Sequence, residues 1–145
     1  MGRRRRSREY ALQALYQLDQ TGDSEPEDVF ERFWVDQDAT DEVKRFCEQL
    51  VAGVHQFRDE IDARIRSVAA HWKTERMAVV DLNVLRIAVF EMFHDTSAPP
   101  AVVIDEAVEV ARKFGSEQSA RFVNGILDAL RRGDDPGKAT QDASA

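Results

Sequence analysis

Residues 79–93 read Val-Val-Asp-Leu-Asn-Val-Leu-Arg-Ile-Ala-Val-Phe-Glu-Met-Phe, and this stretch decides between a helical and a sheet-containing fold. Its β-branched residues would suit a buried strand, but the run is longer than a usual strand. Asp81, Asn83 and Arg86 interrupt strict alternation, and the chain offers no second strand to pair with it. A helix that is apolar around most of its circumference lies in the middle of a bundle. The stretch therefore predicts the central helix of an all-α protein.

The flanking segments show helical periodicity and few helix breakers. Between Pro26 and Pro99 the only glycine is Gly53, which favours long helices. The spacing predicts an all-α, single-domain helical bundle of about six to seven helices. The expected helices are a first one from about Arg4 to Asp19, a short one that buries Val29, Phe30 and Phe33, one bent helix or two from Val43 to Trp72, the central helix, one opened by Pro99 and Pro100, and a last one with Val123, Ile126, Leu127 and Leu130 inward.

Capping residues mark the ends of these helices. Ser24–Glu27 has the spacing of a capping box, and Ser116 is placed to cap the last helix. Gly115 suits the left-handed position that follows a helix end. Few apolar side chains follow Gly133, too few to offset the entropy cost of ordering the chain. We therefore expect a helical domain over residues 1–132 and a disordered tail over residues 133–145.

Length and composition narrow the class of protein. The chain has 145 residues, of which 43% are hydrophobic, and this suffices for one domain with a core. No apolar run approaches the roughly 20 residues that span a bilayer, so we exclude a membrane protein. The single cysteine cannot form an internal disulfide. A reducing cytoplasm fits this composition best.

Charge is distributed very unevenly along the chain. Residues 1–8 hold five of the 20 basic residues and none of the 27 acidic ones, although the net charge is −7. No apolar segment follows this basic arm, so it is not a secretory signal. An acidic body repels phosphate, whereas the arm could bind it locally. The arm is therefore the first candidate for a binding site, and a solvated run of charge without a partner is the alternative.

Side chains capable of catalysis do not combine into a site. Glu91 and His94 have the Glu-x-x-His spacing of di-iron bundles, but such a site needs two copies and the chain holds one. His55 and Asp59 could share a helix face, yet a metal would need further ligands. Cys47 lies in an apolar stripe and is most simply a core residue. We expect a binding protein, not an enzyme, without metal or cofactor.

Arginines can hold a nucleic acid, but base recognition needs other groups. Phosphate contacts carry affinity and salt dependence without sequence preference. Single-stranded RNA is read by stacking its bases on aromatic or guanidinium planes. Tyr16 and Phe122 lie outside the inward stripes of their helices and are candidates, although each could simply lie at an edge of the bundle. Gly125 suggests either a close helix crossing or close approach of a ligand.

Blocks spread over most of the chain resemble the NusB family of transcription antitermination factors. They follow the arginine arm and cover residues 3 to about 131 in the order and spacing of that family. The resemblance implies an all-helical protein of two small bundles packed across each other, without catalysis. The blocks are residues 8–16 (Arg-Glu-Tyr-Ala-Leu-Gln-Ala-Leu-Tyr), 84–88 (Val-Leu-Arg-Ile-Ala), 105–114 (Asp-Glu-Ala-Val-Glu-Val-Ala-Arg-Lys-Phe) and 122–128 (Phe-Val-Asn-Gly-Ile-Leu-Asp).

The resemblance also implies partners. These are single-stranded boxA RNA of ribosomal RNA transcripts, the ribosomal small-subunit protein NusE, and the antitermination complex of RNA polymerase. Other members can carry an acid where this chain has Gln118, which implies weaker repulsion of phosphate here. The implied RNA contacts are Arg4, Arg5, Arg6, Arg8, Gln118, Arg121 and Phe122, and the implied NusE contacts are Tyr16, Glu75 and Asp81.

Two other functions stay open at this point. A NusB-like domain also occurs fused to ribosomal RNA cytosine methyltransferases; such an enzyme needs a cofactor domain, which we do not expect because the sequence ends after the bundle. A protein-only helical adaptor with an incidental basic arm is the other alternative. Either apolar edge of the bundle could also form a homodimer.

Overall fold

The computed structural model of the protein describes residues 2–22, 25–69 and 77–133. These ranges contain helices and no strand, so the all-α prediction is confirmed. Ser24, the expected N-cap of a capping box, and the tail expected after Gly133 lie outside the described residues, whereas the residue that precedes α2 is Glu25 and its side chain makes no capping hydrogen bond. The α-helices are α1 (Gly2–Thr21), α2 (Pro26–Phe33), α3 (Asp41–Gln56), α4 (Arg58–Val68), α5 (Val79–Phe93), α6 (Pro100–Phe114) and α7 (Glu117–Arg132), and a 3-10 helix, Trp34–Asp36, follows α2.

The helices form two groups that pack against each other. Helices α1, α2 and α3 contact one another, as do α5, α6 and α7, with α4 resting on α5 and α7. Helix α5 joins the groups because it also contacts α1 and α3. The central position predicted for residues 79–93 is therefore confirmed. No helix in the described ranges has the length and apolarity needed to cross a membrane.

The capping signals around α6 and α7 agree with the structure at Ser116 but not at Gly115. The Ser116 hydroxyl accepts a hydrogen bond from the amide of Ser119 at 3.1 Å and begins α7 as predicted. The left-handed conformation expected at Gly115 is wrong, because its φ is −115°. A side chain is excluded there by space, since a Cβ would lie 2.9 Å from the carbonyl oxygen of Ala111. Gly133, with φ of 81°, is the glycine that ends a helix in the left-handed region.

A buried ion pair links the two helix groups. The guanidinium of Arg8 on α1 donates two hydrogen bonds of 2.8 Å to the carboxylate of Glu91 on α5. Arg8 is 5% exposed and Glu91 is 1% exposed. Such a pair costs desolvation energy, and removing one partner leaves the other charge buried and uncompensated. The pair therefore fixes how α1 is oriented against α5.

A second polar network ties α5 to α4. Arg86 donates to both carboxylate oxygens of Asp62 at 2.9 and 3.0 Å, and to the side-chain oxygen of Asn83 at 3.0 Å. Asp19 of α1 lies 3.9 Å from the same guanidinium. Asn83 and Arg86, two of the polar residues that interrupt strict alternation at positions 79–93, therefore make specific contacts of the central helix.

Cys47 lies in the core, as its apolar neighbours predict. Its side chain is fully buried on α3. Burial raises the pKa of the thiol far above its usual range, because the thiolate would lose its hydration. Cys47 therefore stays protonated and acts as a small apolar residue.

Replacing Glu91 with glutamine tests the buried pair. We expect the free energy of unfolding to fall by about 3–5 kcal/mol, because Arg8 would stay buried without its counter-charge. Urea unfolding followed by circular dichroism measures the change. The control is the double variant Arg8→Met/Glu91→Leu, which removes both charges and should recover most of the loss. A loss for Glu91→Gln of less than about 1 kcal/mol, as for an exposed pair, would contradict this role.

Candidate nucleic-acid interface

The N-terminal arginines lie on the first turns of α1, because the helix already begins at Gly2. Cations at a helix N-terminus are unfavourable, since the helix dipole is positive there. Carboxylates from other helices compensate this charge. Arg3 contacts Glu42 of α3 at 2.6 Å in an exposed ion pair. The helical start spaces the five arginines around α1 and gives each a different environment.

Arg5 forms a bidentate pair with Glu106 of α6. Its Nε and Nη2 atoms donate to the two carboxylate oxygens at 3.0 and 2.6 Å. These hydrogen bonds hold the pKa of Glu106 below its usual value, and they raise the pKa of Arg5. Both groups are charged at neutral pH. The Nη1 atom of Arg5 is the part of the guanidinium that this pair leaves for another acceptor.

Arg8 is buried between helices, whereas Arg6 lies at the surface. The pair with Glu91 takes Arg8 out of solvent, and Glu106 approaches its Nη1 atom at 3.6 Å. Arg6 is exposed and donates to the carbonyl oxygen of Asp38 at 3.1 Å. The structure therefore separates Arg8 from the other residues of the expected RNA contact set.

Arg4 is exposed and lies against an aromatic ring. Its guanidinium carbon is 3.9 Å from the centroid of the Phe46 ring on α3. Phe46 is 7% exposed and belongs to the core. In the described part of the chain, no hydrogen-bond acceptor or carboxylate pairs with Arg4, unlike the other four arginines.

Two clefts border this end of α1. The arginine cleft, of about 740 Å³, runs between α1 and the start of α6. The α6–α7 cleft, of about 480 Å³, is lined by both cations and acids. Glu106 borders both clefts. The arginine cleft is lined by Gly2, Arg3, Arg4, Arg8, Ser97, Ala98, Val102 and Glu106, and the α6–α7 cleft by Arg5, Asp105, Glu106, Val108, Glu109, Arg112, Ala120, Arg121 and Asn124.

Helix α7 forms a ridge whose two sides differ. Arg121 and Asn124 are exposed and line the α6–α7 cleft beside Arg5. Gln118 and Phe122 line a cavity of about 300 Å³ on the other side, together with Asp81. The expected RNA contacts on α7 are thus divided between two surfaces. One of these surfaces also holds Asp81, which was expected on the NusE side.

Gly125 lies on the same ridge and faces open space. A Cβ atom built at this position would have no heavy atom within 4 Å. Of the two explanations left open by the sequence, a close helix crossing is therefore excluded in the described structure. The exposed glycine leaves room for close approach of a ligand.

Tyr16 lies at a groove of about 410 Å³ between α1, α5 and α6. Tyr16 is 49% exposed and Val79 is 46% exposed, so two large side chains with apolar surface lie open here. Asn83, which is 1% exposed, lines the groove, and its side-chain nitrogen has no partner among the residues described. Glu75, also expected on the NusE side, lies outside the described residues. The lining of this Tyr16 groove is Leu12, Gln13, Tyr16, Gln17, Val79, Val80, Asn83 and Phe114.

Two residues of this surface were not found from the sequence. Phe46 is assigned to the apolar stripe of its helix, and no local pattern shows that Arg4 would lie on it. Arg3 belongs to the basic arm but not to the expected contacts, yet it lines the arginine cleft. Only its place in the run of arginines indicated that Arg3 could belong to a binding surface, and no sequence pattern indicated this for Phe46.

The residues with di-iron spacing have other partners. Glu91 is paired with Arg8. The imidazole of His94 stacks on Phe57 with ring centroids 3.9 Å apart, and its Nε2 atom lies 3.2 Å from Glu60. Within the described ranges, no three His, Cys, Asp or Glu side chains gather as metal ligands.

Comparison with known proteins agrees with the resemblance in sequence. The model of the NusB family matches residues 5–132. A curated relative from Anaeromyxobacter dehalogenans, named transcription antitermination protein NusB, is 47% identical over 137 residues. The alignment covers 94% of this chain and 95% of the relative. Sequence similarity therefore extends over the whole helical domain.

Solved structures show the same fold. NusB of T. maritima superposes with a TM-score of 0.81 and 33% identity, covering 95% of this chain and 96% of that one. A chain of a complex of the antitermination factors NusB and NusE with double-stranded RNA gives a TM-score of 0.77 and 27% identity, over 92% of this chain and 99% of that one. Together these matches show that the chain belongs to the NusB family, whose members are transcription antitermination factors and not enzymes.

Proposed function

We propose that this protein binds boxA RNA of ribosomal RNA transcripts together with NusE, and thereby helps RNA polymerase to read through terminators in the cytoplasm. The observation that carries the RNA part is the cluster of arginines at the two clefts beside the start of α1, on an otherwise acidic chain. The related complex of NusB and NusE with RNA supports both partners.

Phosphates would be held by exposed arginines at the start of α1 and on α7. Arg3 and Arg6 lie at the surface of α1, and Arg121 faces the α6–α7 cleft. Arg5 offers its Nη1 atom to the same strand. Arg8 is left out of the proposed contacts, because a phosphate could reach it only by opening its buried pair with Glu91. The strand would thus cross from the start of α1 to α7.

Helix α7 would provide contacts to the bases. Gln118, Arg121, Phe122 and Gly125 recur at spacings of three and four residues and form one stripe on the helix. Gly125 allows a ribose or base to approach the helix backbone closely. Phe122 and Gln118 would extend this stripe towards the cavity that also holds Asp81. The resulting surface combines cations, an aromatic ring and polar groups, as single-stranded RNA requires.

NusE would dock on the Tyr16 groove and the adjoining start of α5. Exposed aromatic and aliphatic surface favours a protein partner here, since such side chains form the centres of interfaces. The acidic body of this chain suits a basic ribosomal protein. Asp81, at the start of α5, and Glu75 would complete the contact.

The salt dependence of RNA binding tests the phosphate contacts. Replacing Arg3, Arg6 and Arg121 together with glutamine should reduce the log–log salt slope by roughly 2, because each phosphate contact on a single strand contributes about 0.7. Titrations of boxA RNA by fluorescence anisotropy at several salt concentrations measure the slope. The control variant, Arg32→Gln/Arg66→Gln, removes exposed charge outside the clefts and should retain the slope. An unchanged slope in the triple variant would instead support the adaptor without RNA.

Replacing Tyr16 with alanine tests the protein interface. We expect the affinity for NusE to fall by more than about fivefold, because a half-exposed tyrosine at the centre of an interface is a frequent hot spot. Isothermal titration calorimetry measures this affinity, and RNA binding by the isolated protein should stay unchanged. Val35→Ala removes another exposed side chain outside the groove and serves as the control. If Tyr16→Ala altered self-association by sedimentation but left NusE binding intact, the groove would be a homodimer contact.

Replacing Gln118 with aspartate tests whether RNA reaches the far side of α7. Gln118 is exposed, so the change should leave the fold intact. We expect RNA affinity to drop by roughly fivefold at low salt, because like charges a few ångströms apart in water repel by about 1 kcal/mol. Filter binding with boxA RNA at low and high salt measures this effect, which should shrink as salt rises. Equal affinities for the two proteins would place the RNA elsewhere.

A further inference from the structure

The distance between Arg4 and Phe46 shows that the two groups are stacked. A guanidinium that pointed an N–H at the ring would hold its central carbon farther away by roughly one bond length. At 3.9 Å the carbon of Arg4 instead lies in van der Waals contact over the ring. Phe46 is anchored in the core, so one face of the guanidinium rests on a fixed support. The long side chain of Arg4 is thereby ordered before any ligand binds.

The neighbouring arginines lack this arrangement. Arg3 is paired with Glu42, and Arg5 with Glu106. The guanidinium carbon of Arg6 lies 5.9 Å from the centroid of the Tyr10 ring, so Arg6 is not stacked on it, and Arg6 donates to the Tyr10 hydroxyl and to a backbone carbonyl. Arg4 has a stacked face and, in the part of the chain described, no acceptor for its N–H groups. It is therefore the arginine whose plane is held while its polar edge stays available.

Arg4 is one of the residues that line the arginine cleft. This cleft has a volume of about 740 Å³, which is within the range of sites for organic ligands larger than a single base. Its lining includes the apolar side chains of Ala98 and Val102, and the cation of Arg3. A flat apolar group could lie inside while its attached phosphate stays near Arg3. These features suit a nucleotide better than a bare phosphate.

We propose that Arg4 is a base-stacking residue: one nucleobase of the bound RNA lies on the guanidinium of Arg4, which itself lies on Phe46. Guanidinium is planar and weakly hydrated, so it stacks on flat groups, whereas the ammonium of lysine does not. This inference rests on the proposed RNA-binding function and assigns to Arg4 a role other than phosphate contact. Part of the affinity would then be independent of salt.

The test compares two arginine-to-lysine changes that both preserve charge. In Arg4→Lys the stack is lost, and the affinity for boxA RNA should fall by about fivefold or more with an unchanged salt slope. In Arg3→Lys, the matched control one residue away, the affinity should change by less than about twofold, because an ammonium replaces a guanidinium in an exposed ion pair. Fluorescence anisotropy at two salt concentrations measures both quantities. Neither side chain is buried, so both variants should fold.

A series of RNAs, each with one abasic ribose, identifies the stacked base. If the inference holds, one abasic position weakens binding to the unmodified protein, and Arg4→Lys causes no further loss with that RNA. At every other position the two losses should add. Phe46→Leu, with folding checked by circular dichroism, should reproduce part of the Arg4→Lys effect because the support is gone.

Three outcomes would overturn the inference. If Arg4→Lys and the unmodified protein bound boxA RNA with equal affinity, the stacking role of Arg4 would be wrong, although RNA binding itself would be established. Additive losses at all abasic positions would show that Arg4 acts without a base. If the unmodified protein failed to bind boxA RNA even with NusE present, the proposed function would fall together with this inference.

Discussion

The buried pair between Arg8 and Glu91 is the contact on which the rest of the surface depends. It joins α1 to the central helix across the interface of the two helix groups. Because Arg4 lies one helical turn before Arg8, fixing Arg8 also sets the direction in which Arg4 points. Burying an ion pair costs desolvation free energy that offsets much of the attraction between the charges, but the buried pair can form in few alternative geometries. Its contribution here is a defined orientation for the cationic end of α1.

The same end of α1 would be unfavourable without carboxylates from other helices. Glu42 pairs with Arg3, Glu91 with Arg8, and Glu106 with Arg5 and more distantly with Arg8, and these acids come from α3, α5 and α6. Because of these ion pairs, some arginines hold helices together, whereas others remain accessible to a ligand. Arg8 joins α1 to α5, Arg5 is paired with Glu106 and keeps one nitrogen for a ligand, and Arg4 lies on an aromatic ring. A run of similar residues thus becomes a set of side chains with different roles.

The two proposed binding surfaces share α1 and α5. The beginning of α1 borders the arginine cleft, and the segment from Leu12 to Gln17 lines the Tyr16 groove. Helix α5 holds Arg8 through Glu91 and contributes Val79 and Asn83 to the groove. A partner that orders either surface would stabilise helices that carry the other one. Mutual strengthening of RNA and NusE binding would follow from this arrangement, since coupling between sites is reciprocal.

Local physics made most of the fold predictable from the sequence. The central position of residues 79–93 follows from their apolar circumference, and the cap at Ser116 follows from one hydroxyl and the amide three residues on. Gly115 was misjudged because its requirement is space beside Ala111 and not a left-handed φ. The division of charge between the arm and the body, and the family blocks, also needed no coordinates.

By itself, then, the sequence determined an all-α core, a cationic N-terminus and the family. Only the tertiary structure decided which arginines are free, which are buried and which lie on a ring. The reason is range: helical periodicity repeats every few residues, whereas Arg8 and Arg5 find their acids 83 and 101 positions away. The partner of a long side chain is whichever group the fold places within its reach, and the residues next to it in the sequence do not indicate which group that is.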